Sequence, residues 1–549
     1  MRTFTTVLCV AGSLAVAPLH AAPSLAGLER LFADFNDAQG AIGYIDAAPA
    51  AGMAYQGRSR AQWQAIYTDT RSQLLQGLQE LPKPRNAADG RAVEVMRSAL
   101  ADTSPVPESL APTGHCAEAQ RTRQPLRTLQ QSLYACFSEL GNQLAFEDGR
   151  VTRVAAFELL TRLPESERRR ALFLAFRPLW RAINEDGSAG SPYRRMIVRT
   201  AAQERGGGGA VEAAAHTLGI ARADVERWLE LALQRWEQVS PAESVEPWDY
   251  RFAAGAAERE LAEAVPREAL TVLNQRFYAD LGLDLTAAGV WYDLDARPGK
   301  APLAYTDYIR RGRLQGSEWQ PTLVRVSASY EHGGLGPLNE LVHENGHAAH
   351  MLALRTRPAF MDLGDPLFYE AFADVPSWSV YESSWQEKYL GRHARQDTSL
   401  RARDAGVMLD VAWALFDCRM LRRPHADPNQ VWTQITSRYL HIRPHPELPW
   451  WAMRVQLVDH PGYMVNYGLG AVLTADIRQH VAEQIGPFDA GNPRWFGWLS
   501  THLLGSGEEQ PTALLLRRFL GRAVSPQALL AELQRLAPGR ADTAPPTGR

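Results

Sequence analysis

The chain has 549 residues, 45% of them hydrophobic and 22% charged, with a formal net charge of -3. This is the make-up of a folded protein with a large core, and it excludes a disordered chain. It also lacks the basic excess that binding to nucleic acid or to an anionic membrane surface demands.

The N-terminus carries Arg2, an apolar stretch from Val7 to Leu19, and then the small residues Ala21, Ala22 and Ala26. That order of charge, apolar run and cleavable small residues predicts a secretory signal peptide over 1–22, and so a periplasmic or secreted protein. The run is too short to span a bilayer, and no later stretch approaches the roughly 20 apolar residues required, so no membrane span is expected. Cys9 falls too early in the run for a lipid anchor. After removal of the signal, Cys116, Cys136 and Cys418 remain. In an oxidising compartment the nearby pair Cys116 and Cys136 can close a disulfide loop. Cys418 follows the apolar run Val411-Ala412-Trp413-Ala414-Leu415-Phe416 and reads as a buried free thiol. None has the paired spacing of a cysteine-rich zinc site.

Residues 23–285 form a helical N-terminal half. The stretch 166–176 starts with charge and continues with an apolar stripe, and 221–239 repeats the pattern with Val225, Leu229, Leu233 and Trp236. Gly206 to Gly209 interrupt it as a loop, and no Lys-Ser/Thr follows to make that loop a phosphate cradle. Strand-forming residues concentrate at 290–294 and 322–327, between Pro- and Gly-containing turns. Helical spacing resumes near Leu338 and lasts to about Leu536, giving a C-terminal half over 286–537. The polar, proline-containing end, 538–549, is expected to be a disordered tail. The fold class is therefore mainly α, with one small β-sheet just before the most informative motif.

That motif is His343-Glu344-Asn345-Gly346-His347. Residues four apart share a helix face, so both imidazoles can reach one ion, and Glu344 is placed to orient a water and take its proton. A nitrogen-rich, incomplete ligand set favours Zn2+, one per chain, with a position left open. Strand signals just upstream suit an edge strand that holds an extended peptide beside the metal. A third ligand is offered by Tyr369-Glu370-Ala371-Phe372-Ala373-Asp374, far enough on for a second helix to return alongside. Glu370 is the expected ligand and Asp374, one turn later, its rival. With Glu370 bound, Asp374 is free to accept the remaining N–H of a ligating histidine. His350 shares the face of His343 and His347 and is read as a supporting residue of the pocket.

These residues carry a family resemblance. His343-Glu-Asn-Gly-His-Ala-Ala-His350 resembles the zinc motif of the thimet oligopeptidase and oligopeptidase F family, and 293–300 with Ala304-Tyr305 is similar to the segment upstream of it there. Phe368-Tyr369-Glu370-Ala371-Phe372-Ala373-Asp374 resembles instead the corresponding stretch of the angiotensin-converting enzyme family. The resemblance covers about residues 290–467. It implies a large helical ellipsoid cut by a deep substrate channel, with the helical N-terminal half forming one wall. It also implies that His460 hydrogen-bonds the substrate and that Tyr467 or Tyr463 stabilises the oxyanion. Tyr330 and His332, after the second strand, are candidates to line the cleft. The converting-enzyme type holds the substrate's C-terminal carboxylate with a Lys shortly before the late His. Here Val458 stands two before His460, and Arg454 is the nearest upstream cation.

Three functions fit. The leading expectation is an exported zinc metallopeptidase that cleaves short oligopeptides. The alternatives are a dipeptidyl carboxypeptidase of the converting-enzyme type and a non-catalytic peptide-binding protein on the same fold, the last weakened by an intact Glu344.

Overall fold

Apolar residues recur at helical spacing along nearly all of this chain, and helices dominate accordingly. The computed structural model describes residues 23–47, 55–102, 115–121, 124–185, 187–205, 208–295, 300 and 303–537. The expected signal peptide, the C-terminal tail, residues 296–299 of the segment upstream of the motif and two of the four loop glycines lie outside them. The architecture is mainly α. Among the described residues it carries one three-stranded sheet and two short hairpins, β1 (Leu144–Phe146) with β2 (Gly149–Val151) and β5 (Arg313–Gln315) with β6 (Glu318–Gln320).

Helices α1 (Leu25–Ala47), α2 (Arg60–Glu80) and α3 (Ala87–Asp102) pack around their own apolar cluster, with Leu28, Phe35, Leu74 and Met96. Phe360 joins that cluster from far along the chain. Ser59 starts α2 with a reciprocal cap, its side chain accepting from the Gln62 N–H while Gln62 accepts from the Ser59 N–H. A second and much larger core runs from Ala119 to Leu536, straight through residue 285. Within it lie α4 (Leu126–Gly141), α5 (Arg153–Arg162) and the short α6 (Tyr250–Ala254). Cys136 of α4 is disulfide-bonded to Cys116, and Cys418 is a buried free thiol, as the apolar run ahead of it suggested.

The three-stranded sheet has β7 (Leu323–Ser327) in the centre, parallel to β3 (Val290–Asp293) and antiparallel to β4 (Tyr305–Arg310). Val324 and Val326 are fully buried. The sequence pattern did not reveal β4: Asp307 and Arg310 break its apolar alternation, as suits a strand at a sheet edge.

From β7 the chain turns into the motif helix α7 (Leu335–Ala353). Gly334 takes φ 127°, a conformation open only to glycine, and Pro337 occupies the first turn, where no N–H is missed. The helix is buried along most of its length. Helix α8 (Pro366–Ser377) returns beside it and is packed on its other side by α10 (Met464–Ile485), which also rests on α9 (Gln396–Arg422). Gly346 permits the close approach of α7 to α8, since a Cβ there would stand 2.7 Å from the Ala373 Cα and carbonyl oxygen.

Candidate metal centre and active site

The tight α7–α8 contact brings the expected ligands together. One ligand atom each from His343, His347 and Glu370 lie within 4.8 Å of one another. Nε2 of His343 is 3.5 Å and Nε2 of His347 is 3.8 Å from Glu370 Oε2. Two imidazole nitrogens and one carboxylate oxygen converging at this spacing are a donor set that could hold a metal ion. Asp374 is not part of this group. Its Oδ1 lies 2.7 Å from His343 Nδ1 and also accepts from Ser377 Oγ at 3.1 Å, which fixes the ring with Nε2 facing Glu370.

Burial disfavours the charged form of His343, but Asp374 and Glu370 outweigh it and hold its pKa well above the usual value. His347 is driven the other way, well below it, by burial and then by His343 and His350.

Glu344, next to His343 on α7, also meets the sheet. The Thr306 hydroxyl of β4 reaches Glu344 Oε2 at 2.6 Å and its backbone carbonyl at 2.9 Å. Burial pushes the Glu344 carboxyl up to about 8, against the opposing pull of His343 and Thr306. Asn345 anchors the helix to β3, accepting from Tyr292 Oη at 2.8 Å and donating to Leu341 O. His343, Glu344 and Asp374 open onto a cavity of about 500 Å³, which is also lined by Glu340, Arg153, Arg251, Arg454 and Tyr467.

The late tyrosines arrive from α10 and the turn before it. Tyr463 Oη and Tyr467 Oη stand 3.4 and 3.5 Å from Glu370 Oε1, with Tyr369 Oη 3.5 Å from Tyr463 Oη. Asp417 holds this turn in place by accepting the Gly462 N–H at 2.6 Å.

The remaining expected residues take the following places. His460 is 67% exposed at its side chain, pairs with Asp459 at 3.0 Å, and is not among the residues lining the cavity. The chain turns at Pro461-Gly462, which sends Tyr463 inward and leaves His460 outside. His350 is fully buried, which lowers its pKa to about 3, with its ring edge-on to Phe368 and Phe372. It packs α7 on α8 and touches no ligand. Tyr330 is buried beside Glu340, and His332 is exposed on the turn before α7; neither lines the cavity. Arg454 does line it, but is neutralised by Asp410 at 2.8 Å and lies over the Tyr467 ring.

Four lining or contacting residues were missed. Glu340 was legible, since it stands one turn before His343 and Glu344 on the same helix. Thr306 directly follows Tyr305 of the upstream segment. Arg153 and Arg251 have no local signature, because only the folded chain brings α5 and α6 to the motif helix.

No family model and no curated protein matches the sequence. Solved structures do match the fold. The M32 carboxypeptidase of Deinococcus radiodurans R1 is 15% identical, with a TM-score of 0.53 over 93% of this chain and 97% of that one. Metallocarboxypeptidase 1 of Trypanosoma cruzi is 14% identical at a TM-score of 0.53, over 94% and 99%. PZ peptidase A, solved with an inhibitor, is 16% identical at a TM-score of 0.54, over 94% and 97%. Across nearly its whole length, this chain is therefore similar in fold to carboxypeptidases and to PZ peptidase A.

Proposed function

We propose that this protein is a zinc-dependent peptidase acting on short peptides. The observation that carries the proposal is the convergence of His343, His347 and Glu370, with His343 and Glu344 opening onto a cavity of about 500 Å³. Solved structures of the same fold bear the names of peptidases, which agrees with it. A bound zinc ion would supply a Lewis acid for the scissile carbonyl. Glu344 takes the proton of the attacking water and returns it to the leaving amine. The edge of β4, which meets Glu344 through Thr306, offers backbone groups to a substrate strand. Tyr467 lines the cavity and donates to the oxyanion, and Tyr463 meets the same Glu370 oxygen as Tyr467.

Turnover of a quenched fluorescent peptide set tests this, with Glu344→Gln and a chelated sample beside the native protein. Loss in both controls, with zinc restoring the chelated one, is the expected result. In Glu344→Gln, kcat should fall by about 10²- to 10⁴-fold while zinc stays bound. Absence of turnover with one zinc bound per chain would overturn the proposal in favour of a binding protein.

Export is part of the same proposal. The N-terminal signal pattern supports it, and so does the Cys116–Cys136 disulfide, a bond that persists in oxidising compartments. Whether products are internal fragments or dipeptides separates oligopeptidase from dipeptidyl carboxypeptidase action, and mass spectrometry of the products decides it.

A further inference from the structure

Among the described residues, other arginines that line the cavity are answered by an anion or a carbonyl. Around the cavity, Arg403 meets Asp404 at 2.7 Å, Arg454 meets Asp410 at 2.8 Å, and Arg162 donates to the Gly333 carbonyl. Arg153 and Arg251 break the pattern. Among the described residues neither has a carboxylate within 4.0 Å, and neither side chain donates a hydrogen bond. Arg153 is only 7% exposed, and its buried Nε has no partner.

The two guanidinium groups share one aromatic platform. Their carbons lie 5.1 and 4.3 Å from the centroid of Phe157. Stacking on that ring fixes their planes and leaves their N–H groups directed elsewhere. Both line the cavity that His343 and Glu344 open onto. Glu340 and Asp410 are the nearest acidic groups, but Asp410 is taken by Arg454, and Glu340 lies against Tyr330. Burial, followed by mutual repulsion with Arg454, pulls both groups down to about 10. The buried, unanswered guanidinium of Arg153, beside the half-buried and equally unanswered Arg251, is costly unless an anion completes it.

We infer that Arg153 and Arg251 form a subsite that binds a carboxylate of the peptide substrate beside the metal centre. The inference rests on the peptidase proposal for its substrate, though not for the binding itself. Two parallel N–H pairs per guanidinium suit a carboxylate fork. Placing this subsite and His343 in one cavity means that a peptide anchored there presents a bond near its charged end. The free C-terminus is one source of the carboxylate, and a substrate Asp or Glu side chain is the other.

The test uses zinc-loaded Glu344→Gln protein and three fluorescent peptides of one sequence: the free acid, the C-terminal amide, and the amide with Glu as its last residue. Anisotropy reads binding without turnover. The free acid should bind at least ten-fold more tightly than the plain amide. That ratio should fall toward one when Arg153→Gln or Arg251→Gln is added, and Arg→Lys at either position should keep part of it. Tight binding of the Glu-ending amide as well would assign the subsite to either carboxylate source, and weak binding of it would assign the subsite to the C-terminus. Equal binding of acid and plain amide, or a preference that survives both Gln substitutions in protein of native circular dichroism, overturns the inference. The wild-type enzyme separates the two claims. No turnover of any peptide, with the acid still bound ten-fold more tightly, would remove the peptidase and leave the anion subsite. Equal turnover of acid and amide would remove the subsite and leave the peptidase.

Discussion

Replacement of Gly346 by alanine should damage the metal centre more than the fold. The added Cβ would stand 2.7 Å from the Ala373 Cα and carbonyl oxygen of α8 and 3.1 Å from its carbonyl carbon, all backbone atoms without a rotamer to escape into. Restoring even the 3.4 Å of an ordinary contact requires the helices to part by about 0.7 Å. Overpacking of this kind costs about 1–3 kcal/mol, while alanine returns about 1 kcal/mol of helix propensity over glycine. The net loss of stability is therefore about 0–2 kcal/mol, a small change in Tm. The site tolerates much less, because metal–ligand distances hold to about 0.2 Å. His343 and His347 flank Gly346 on α7, whereas Glu370 and Asp374 ride on α8, so a shift between the helices opens the ligand group itself. Zinc affinity should fall at least ten-fold, measured by competition with a chromophoric chelator, together with a thermal melt of the metal-free protein. A variant that binds zinc like the wild type would refute the claim that this glycine sets the ligand spacing.

Two further outcomes follow from the same structure. Asp374→Asn removes the carboxylate that orients His343 at 2.7 Å, and zinc affinity should drop about 10- to 100-fold by the same competition; unchanged affinity would mean that the ring needs no orienting partner. Asp417 is fully buried and its pKa is pushed by burial to about 8, above the 3.8 of an exposed aspartate. The native state therefore holds a proton that the unfolded chain has lost, so this group's stabilisation is complete below about pH 4 and is lost as pH rises to about 8, by at most about 1.4 kcal/mol per pH unit. Asp417→Asn should remove that slope, so wild type should lose stability relative to the variant between pH 5 and pH 8 in urea titrations. A constant difference between the two proteins at both pH values would rule this out.

What the sequence by itself determined was periodic or covalent. Helical spacing announced the mainly α fold, and the four-residue offset of His343 and His347 put both rings on one face whatever surrounds them. The second helix with Glu370 and Asp374 was legible too, since both carboxylates lie one turn apart on a patterned segment. Tertiary structure decided everything that depends on two distant segments meeting. Glu370 faces the imidazoles and Asp374 stands behind one of them because Gly346 admits the α8 backbone. His460 lies outside and Tyr463 inside because the chain reverses at Gly462, at φ 101°, with Asp417 holding the turn. Arg454, the cation nearest in sequence, is neutralised by Asp410, whereas Arg153 and Arg251, some 90 to 190 positions before the motif, face the cavity unanswered. Periodicity reports which face of an element is buried, but not which charge on another element waits there, because pairing is settled only when the whole core closes.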